Sequence, residues 1–222
     1  MDAELGLRER KKQQTRQLIA DAAARLFDER GFDAVTVAQV ARAADVSEGT
    51  VFNYFPTKED LFYARMQSFE AALVEAVRRR PGGESAVTAF GRFIEEGTGG
   101  LAARDRAEAI VRAARIIRAS PALQAREREI VADHTRELAT VISDETDAAS
   151  DDVEPLVVAH ALMGAHRAVV EHVRSQVLAG RRGRSLAADA RAQVKRAFER
   201  LERGLGDYAV KSAGTNRRRP FA

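Results

Sequence analysis

Apolar residues recur three and four positions apart along nearly the whole chain, and no alternating run persists. This periodicity predicts an all-α protein of about nine helices. The first helix should begin near Thr15, after a polar and mobile segment over 1–14. Its apolar stripe consists of Ile19, Ala22, Ala23, Leu26 and Phe27. Gly31 should end the helix, and Phe32 should fold back onto its last turn.

Two short helices joined by a tight turn are predicted next. The first has an apolar face about two turns long, formed by Val37, Val40, Ala41 and Ala44. Residues 45–46 leave room only for a turn, and Ser47 should cap the second helix. Val51 and Phe55, four residues apart, should point into the core, and Pro56 should end the helix. Such a pair is a helix-turn-helix, a motif that places its second helix in the major groove of DNA.

Six further helices are predicted after the motif. They span about 57–80, 84–96, 105–119, 121–144, 153–179 and 186–208. The first of them begins after Thr57 as its cap and should bury Phe62, Met66, Phe69, Leu73 and Val77. GTGG at 97–100 should end the helix over 84–96, and Ser120 should cap the helix that starts at Pro121.

The helix over 153–179 is apolar nearly all the way round, so it has to be covered on more than one side. The last helix carries a long apolar stripe, formed by Leu186, Ala190, Val194, Phe198, Leu201, Leu205 and Tyr208. Together they predict a homodimer through a symmetric four-helix contact of 153–179 and 186–208. The alternative is a monomeric bundle in which both helices are internal.

The outward face of the second short helix is small and hydrogen-bonding. Gly49 allows close approach of the backbone to DNA, and Thr50 offers a hydroxyl to phosphate and a methyl to thymine. Asn53 can pair with adenine, Tyr54 can donate to phosphate, and Lys58 lies at a helix N-terminus that attracts phosphate.

Other polar residues near the motif have two open interpretations. Glu48 either contacts cytosine or is a solvated carboxylate that favours the helix dipole. A basic cluster precedes the first helix and either contacts phosphates or a minor groove or is a solvated tail, with Arg16 as its strongest candidate. The complete set of predicted DNA contacts is Arg16, Thr36, Gln39, Arg42, Ser47, Glu48, Gly49, Thr50, Asn53, Tyr54 and Lys58.

Composition narrows the class of protein. The chain has 222 residues, 45% of them hydrophobic and 31% charged, which describes a soluble globular protein with a net charge of only +3. It has no Cys, so disulfides and thiolate metal sites are excluded. No apolar run approaches the roughly 18 residues of a membrane span, and the first residues lack the apolar core of a signal peptide. We therefore expect a cytoplasmic protein that does not associate with membranes.

Three segments carry a family resemblance: TRQLIADAAARLFDERGF at 15–32, VTVAQVARAADVS at 35–47 and GTVFNYFPTKEDL at 49–61. They resemble the DNA-binding domain of the TetR/AcrR family of bacterial transcriptional regulators. Two departures matter: Asp45 stands where the family usually has Gly, and Phe52 stands where its aromatic residue usually has a phosphate-contacting hydroxyl, a contact that Tyr54 should supply here.

The resemblance implies a DNA-binding domain over 1–56, preceded by its basic arm, and an effector-binding and dimerisation domain over 57–210. A disordered basic tail is predicted over 211–222. Candidates for the effector pocket are the polar and aromatic residues on apolar helix faces. They are Phe90, Phe93, Ile94, His134, Leu138, Met163, His166, Arg167 and Val170. A mainly apolar cavity with few polar anchors suits an apolar or aromatic molecule that carries an acceptor or anionic group.

Each pocket candidate also has a structural interpretation. In that interpretation the histidines are hydrogen-bonded core residues, the two phenylalanines fill the core, and Arg167 is the ion-pair partner of Glu171. His160, His166 and His172 are six residues apart and lie on different sides of a helix, which argues against one metal site. No phosphate loop, nucleophile elbow or HExxH motif occurs, so we predict no metal, no cofactor and no enzymatic activity.

The sequence thus predicts a dimeric, ligand-responsive repressor of transcription that binds a palindromic operator and is released by a small apolar or aromatic effector. The effector would shift the helix at 57–80 and change the spacing of the two DNA-reading heads. One alternative is a DNA-binding regulator whose body serves a protein partner and has no small-molecule effector. Another, an enzyme with a DNA-binding appendage, has no catalytic residues in its favour.

Overall fold

The computed structural model describes residues 2–211, without the side chains of 2–5 and 65. Within this range the protein has nine α-helices and one 3₁₀ helix, and its only β-type pairing is a bridge between Ser85 and Val210. The α-helices are α1 (Asp2–Arg30), α2 (Val37–Ala43), α3 (Glu48–Tyr54), α4 (Lys58–Arg78), α5 (Ala86–Gly97), α6 (Arg104–Ala119), α7 (Pro121–Thr146), α8 (Glu154–Leu178) and α9 (Gly183–Leu205). The prediction of an all-α fold is confirmed.

Helix α1 begins at Asp2 and not near Thr15, so the prediction of a mobile segment over 1–14 was wrong. Residues 2–14 contain no Pro and consist largely of Glu, Leu, Arg, Lys and Gln, which are good helix formers. The helix ends as predicted: Gly31 has a φ of +80°, and its N–H donates to Phe27 O at 2.9 Å. The ring of Phe32 folds back to 5.3 Å from that of Phe27.

The chain divides into two compact units, and three helices run through both of them. The first unit comprises Met1–Phe69 and Arg112–Glu129, and the second comprises Glu70–Val111 and Ile130–Ala222. Helices α4, α6 and α7 therefore contribute residues to each unit. Of the disordered basic tail predicted over 211–222, residues 212–222 lie outside the described residues, and Lys211 is hydrogen-bonded to Gly83, Glu84 and Arg78.

The start of α4 buries a different side from the one predicted. Leu61 and Tyr63 are buried, whereas Phe62, Met66 and Phe69, which were all predicted to be buried, are only half-buried. The Tyr63 hydroxyl donates to the carbonyl oxygen of Leu123 at 2.9 Å. This contact comes from a segment distant in sequence, so helical spacing within α4 could not reveal it. Further along α4, Leu73 and Val77 are fully buried as predicted.

The second unit is built mainly on α5, α8, α9 and the 3₁₀ helix Thr98–Ala102, which occupies the predicted GTGG break. Helix α5 approaches α9 closely because Gly91 has no side chain. A Cβ placed on Gly91 would lie 2.8 Å from Phe198 Cγ. The ring of Phe198 in turn lies 5.7 Å from that of Phe90.

The apolar residues of α9 are largely buried within the chain, whereas several of those on α8 are exposed. The first four residues of the predicted α9 stripe, Leu186, Ala190, Val194 and Phe198, are buried within the chain. Helix α8 leaves Leu156, Val157 and Leu178 exposed, with Val153 exposed just before it. None of the helices over 2–211 combines the length and the apolar character needed to cross a bilayer.

Candidate nucleic-acid interface

Helix α2 is fixed at its start by a reciprocal cap. The Thr36 hydroxyl accepts from the Gln39 N–H at 3.3 Å, and the Gln39 side-chain oxygen accepts from the Thr36 N–H at 3.0 Å. Two orphan N–H groups are thereby satisfied. Both predicted DNA contacts in this pair thus also have a structural role. Arg42, on the same helix, is exposed.

The turn between α2 and α3 is closed by Asp45, which has a φ of +54°. Asp45 therefore adopts the left-handed conformation at this turn, which Asp tolerates better than most residues. The Val46 N–H donates to the Ala41 carbonyl at 3.0 Å across the turn. The geometry of the helix-turn-helix is thus retained.

Helix α3 is capped by Ser47 and anchored by two apolar residues, as predicted. The Ser47 Oγ accepts from the Thr50 N–H at 3.0 Å and lies 2.8 Å from the Thr50 hydroxyl. Val51 and Phe55 are 0% and 1% exposed. The opposite side presents exposed Glu48, Gly49, Phe52 and Asn53 and half-buried Thr50 and Tyr54. The structure therefore brings the predicted contacts of α3 together on one outward face.

The start of α4 carries a second reciprocal cap. The Asp60 carboxylate accepts from the Thr57 N–H at 3.0 Å, and the Thr57 hydroxyl accepts from the Asp60 N–H at 3.1 Å. Arg126 approaches the same carboxylate at 2.7 Å. Burial alone would raise the pKa of Asp60, but hydrogen bonds from Thr57 and Arg126, together with the Arg126 charge, hold it below its ordinary value. This carboxylate therefore stays ionised and keeps both partners.

Two cations next to the motif are held by aromatic rings. The Lys58 ammonium lies 4.3 Å from the centre of the Phe32 ring, and the Arg16 guanidinium lies 4.7 Å from the centre of the Phe55 ring. Such contacts restrain a flexible cation at a modest energetic gain. Arg16 also approaches the Gln67 side chain at 3.5 Å. The rest of the basic cluster is exposed on α1 and comprises Arg8, Arg10, Lys11 and Lys12.

Sequence reasoning missed Asp60, Tyr63 and Arg126 as supports of this region. The spacing of Thr57 and Asp60 carries a readable capping signal. The roles of Tyr63 and Arg126 had no such signal, because their partners are 60 and 66 residues away.

The predicted effector residues fall into two groups by burial. Phe90, Ile94, Leu138, Met163 and His166 are buried, and Phe93, His134, Arg167 and Val170 are half-buried. His166 lies edge-on to Phe90, with ring centres 6.5 Å apart. Burial first, and then the Arg167 and Arg174 charges, lower the pKa of His166 to about 4. This histidine is therefore neutral at pH 7.

His134 lies between two carboxylates and not in a purely apolar wall. Its Nε2 is 3.8 Å from Glu70, and its Nδ1 is 3.4 Å from Glu137.

Two surface clefts of about 460 and 370 Å³ are found elsewhere in the second unit. The first lies beside Ser85 and Glu202, and the second is formed by the start of α8 and the end of α9. The effector pocket itself stays a prediction.

Comparisons with known proteins agree with the N-terminal motif and extend beyond it. The family described as "Bacterial regulatory proteins, tetR family" matches residues 19–64. The family described as "MftR C-terminal domain" matches residues 66–206, more than half of the chain.

Among curated proteins, the HTH-type transcriptional regulator TcmR of Streptomyces glaucescens is 34% identical over 85 residues, 38% of each chain. Further regulators are matched over only 23% and 24% of their length, so each of these similarities spans well under half of the relative. A protein of Mycobacterium tuberculosis named as a mycofactocin biosynthesis regulator, MftR, is 26% identical over 73% of this chain and 81% of its own.

Among solved structures, the Thermus thermophilus repressor FadR, in complex with lauroyl-CoA, superposes with a TM-score of 0.54 at 22% identity. The superposition covers 86% of this chain and 94% of FadR. At this identity the likeness concerns the fold.

Proposed function

The chain belongs to the TetR family of bacterial regulatory proteins, and we propose that it is a dimeric transcriptional repressor of the cytoplasm that a small molecule releases from its operator. The observation that carries the proposal is the outward face of α3. That face is mainly polar, with Phe52 as its exposed apolar member, and α3 is anchored by buried Val51 and Phe55 on the other side.

In the proposed complex α3 lies in the major groove. Thr50 and Tyr54 contact phosphates, Asn53 reads adenine, and Gly49 admits the backbone close to the duplex. Glu48 is positioned to accept from cytosine, and exposed Arg42 of α2 to reach the flanking backbone. Ser47, Thr36 and Gln39 hold the two helices while remaining near the DNA.

Lys58 is proposed as a phosphate contact, because it is the first residue of α4. The N–H groups at a helix N-terminus and an ammonium together favour an anion. The Phe32 ring already restrains this ammonium, so less side-chain freedom is lost on binding. Arg16 is proposed as a neighbouring backbone contact from α1.

Dimerisation is proposed through α8 and α9. The exposed apolar residues of α8 support it, since one chain leaves Leu156, Val157 and Leu178 in solvent. A two-fold dimer would present two α3 helices, which suits a palindromic operator with half-sites about one helical turn apart.

The effector is proposed to be an apolar or aromatic molecule with an acceptor or anionic group. Its candidate surroundings are Phe90, Ile94, Met163 and His166 in the second unit. Binding there would displace α4, whose residues belong to both units, and the two heads would no longer fit one operator. A coupling of about 1–3 kcal/mol would lower operator affinity roughly 5–150-fold.

The test of the DNA interface is a titration at several salt concentrations with an operator selected from random duplexes. Lys58→Ala should weaken binding to all sequences and reduce the salt slope by about one, because one phosphate contact is lost. The matched control is Arg104→Ala, which removes a cation whose side chain is 89% exposed on α6 and should leave the slope unchanged. An unchanged slope in Lys58→Ala would remove Lys58 from the interface.

A thermal-shift screen of small molecules, repeated with operator DNA, tests the effector part of the proposal. A compound that stabilises the protein and also releases it from DNA is the expected result. If no compound did both, a body that serves a protein partner would become the better explanation.

A further inference from the structure

The segment that follows α9 returns to the loop after α4. The Gly83 N–H donates to the Lys211 carbonyl at 2.6 Å, and the Lys211 N–H donates to the Glu84 carbonyl at 3.3 Å. Ser85 and Val210 form an antiparallel bridge beside these bonds. We call residues 207–211 the clasp.

The clasp also reaches the last turn of α4. The Lys211 ammonium donates to the Arg78 carbonyl at 2.6 Å, and the Arg80 Nη1 donates to the Val77 carbonyl at 2.7 Å. Carbonyls in the last turn of a helix have no partner within the helix, and cations are favourable there. The C-terminal end of α4 is thus held by two cations, one of which belongs to the clasp.

Arg80 links the clasp to two further elements. Its side chain is 0% exposed and pairs with Glu145 of α7. Its Nε donates to the Glu84 carbonyl at 3.0 Å, and its Nη2 donates to the Ala209 carbonyl at 2.7 Å. A buried guanidinium is costly unless its N–H groups are satisfied. The Ala209 carbonyl therefore makes the clasp part of the environment that Arg80 requires.

The clasp itself has limited apolar anchorage. Ala209 is buried and Tyr208 is half-buried, whereas Val210 is 44% exposed and Asp207 is exposed. Ala209 also has a φ of +54°, which residues with a side chain rarely adopt. Segments with few apolar contacts open locally without global unfolding. This favours local release of the clasp, opposed by the loss of the Ala209 carbonyl as a partner of Arg80.

We infer that the clasp is a releasable lock on the C-terminal end of α4 and that its closed state favours operator binding. The first part concerns only how firmly the end of α4 is held, and the second rests on the proposed function. An unlocked α4 samples more positions, so holding two heads on one operator costs more conformational entropy.

Hydrogen exchange tests the lock without DNA. A chain that ends after Lys211 keeps the clasp and is the control for a chain that ends after Gly206. Amides of 78–85 should exchange at least tenfold faster in the shorter chain, while those of α5 and α8 should not change. In the full-length variant Lys211→Ala the same amides should also exchange faster, by a smaller factor. This variant provides the test if the shorter chain does not fold. Equal exchange over 78–85 in the control and both altered chains would overturn the lock.

The same two shortened chains test the second part by operator titration. The chain without the clasp should bind the operator at least about fivefold more weakly. Equal affinity together with faster exchange would overturn the role of the lock in DNA binding. If the control and the full-length chain both failed to bind any duplex, the proposed function would fail, while the exchange result would still decide the lock.

Discussion

Replacing Arg80 by Met should destabilise the protein by about 3 kcal/mol. Removing one partner of a buried ion pair costs about 3–5 kcal/mol, and Arg80 also serves three carbonyl groups, those of Val77, Glu84 and Ala209. The lower end of the range applies because the Glu145 side chain is 20% exposed and keeps some access to water once Arg80 is gone. Met keeps most of the apolar volume of the side chain, so the loss reports the guanidinium and not a cavity.

The neighbouring residue provides a matched control. Arg79 has a side chain that is 80% exposed and pairs with Glu75, so Arg79→Met should change stability by no more than about 0.5 kcal/mol. Urea unfolding followed by circular dichroism gives both values from the same experiment. The double variant Arg80→Met/Glu145→Leu should lose less than the sum of its single variants, because neither charge is then left alone. Losses of equal size in Arg79→Met and Arg80→Met would refute the reasoning.

Three further outcomes are expected. Gly91→Ala should lower the free energy of unfolding by about 1 kcal/mol, because overpacking against Phe198 outweighs the gain in helix propensity. Gly204→Ala is the control, since beyond its own helix backbone and chain neighbours its new Cβ would meet no atom within 4 Å. It should not lower the free energy of unfolding, and the urea midpoints of the two variants decide. His166 has a pKa of about 4 in the folded protein against 6.5 ordinarily, so as the pH falls the unfolded chain takes up the proton before the folded protein does. The His166 contribution to the free energy of unfolding is therefore complete well above pH 6.5 and falls by about 3 kcal/mol as the pH drops to 4. His166→Gln should flatten that part of the stability–pH profile, and an unchanged profile would contradict the assignment. Ser47→Ala should cost about 1 kcal/mol through loss of the α3 cap, seen as a lower melting temperature, and an unaltered melting temperature would exclude the cap as a source of stability.

The elements that depend on local sequence were the most predictable. Apolar spacing, Gly31 and Ser47 placed the ends of α1 and α3, since caps and periodicity act within a few residues. The start of α1 was missed because a polar segment was taken as mobile, although its residues favour a helix. The buried side of α4 was missed because it depends on Leu123, which is 60 residues away from Tyr63.

In the candidate site, too, features set by nearby residues could be predicted and features set by distant residues could not. The outward face of α3 follows from which residues point inward, so sequence sufficed to name it. The support of that face by Arg126, and the lock around Arg80, join residues 66 and 129 positions apart. A single sequence without structure carries no sign that such residues meet.

The first compact unit has a consequence for biosynthesis, because it includes Arg112–Glu129 as well as Met1–Phe69. A nascent chain that has just emerged to Phe69 lacks the guanidinium that neutralises Asp60 and the carbonyl that receives the Tyr63 hydroxyl. At about 5–20 residues per second, the ribosome needs several more seconds to deliver them. The DNA-reading unit is therefore completed only after the chain has passed through part of its second unit, and a fragment cut at Phe69 would lack the Arg126 guanidinium and the Leu123 carbonyl.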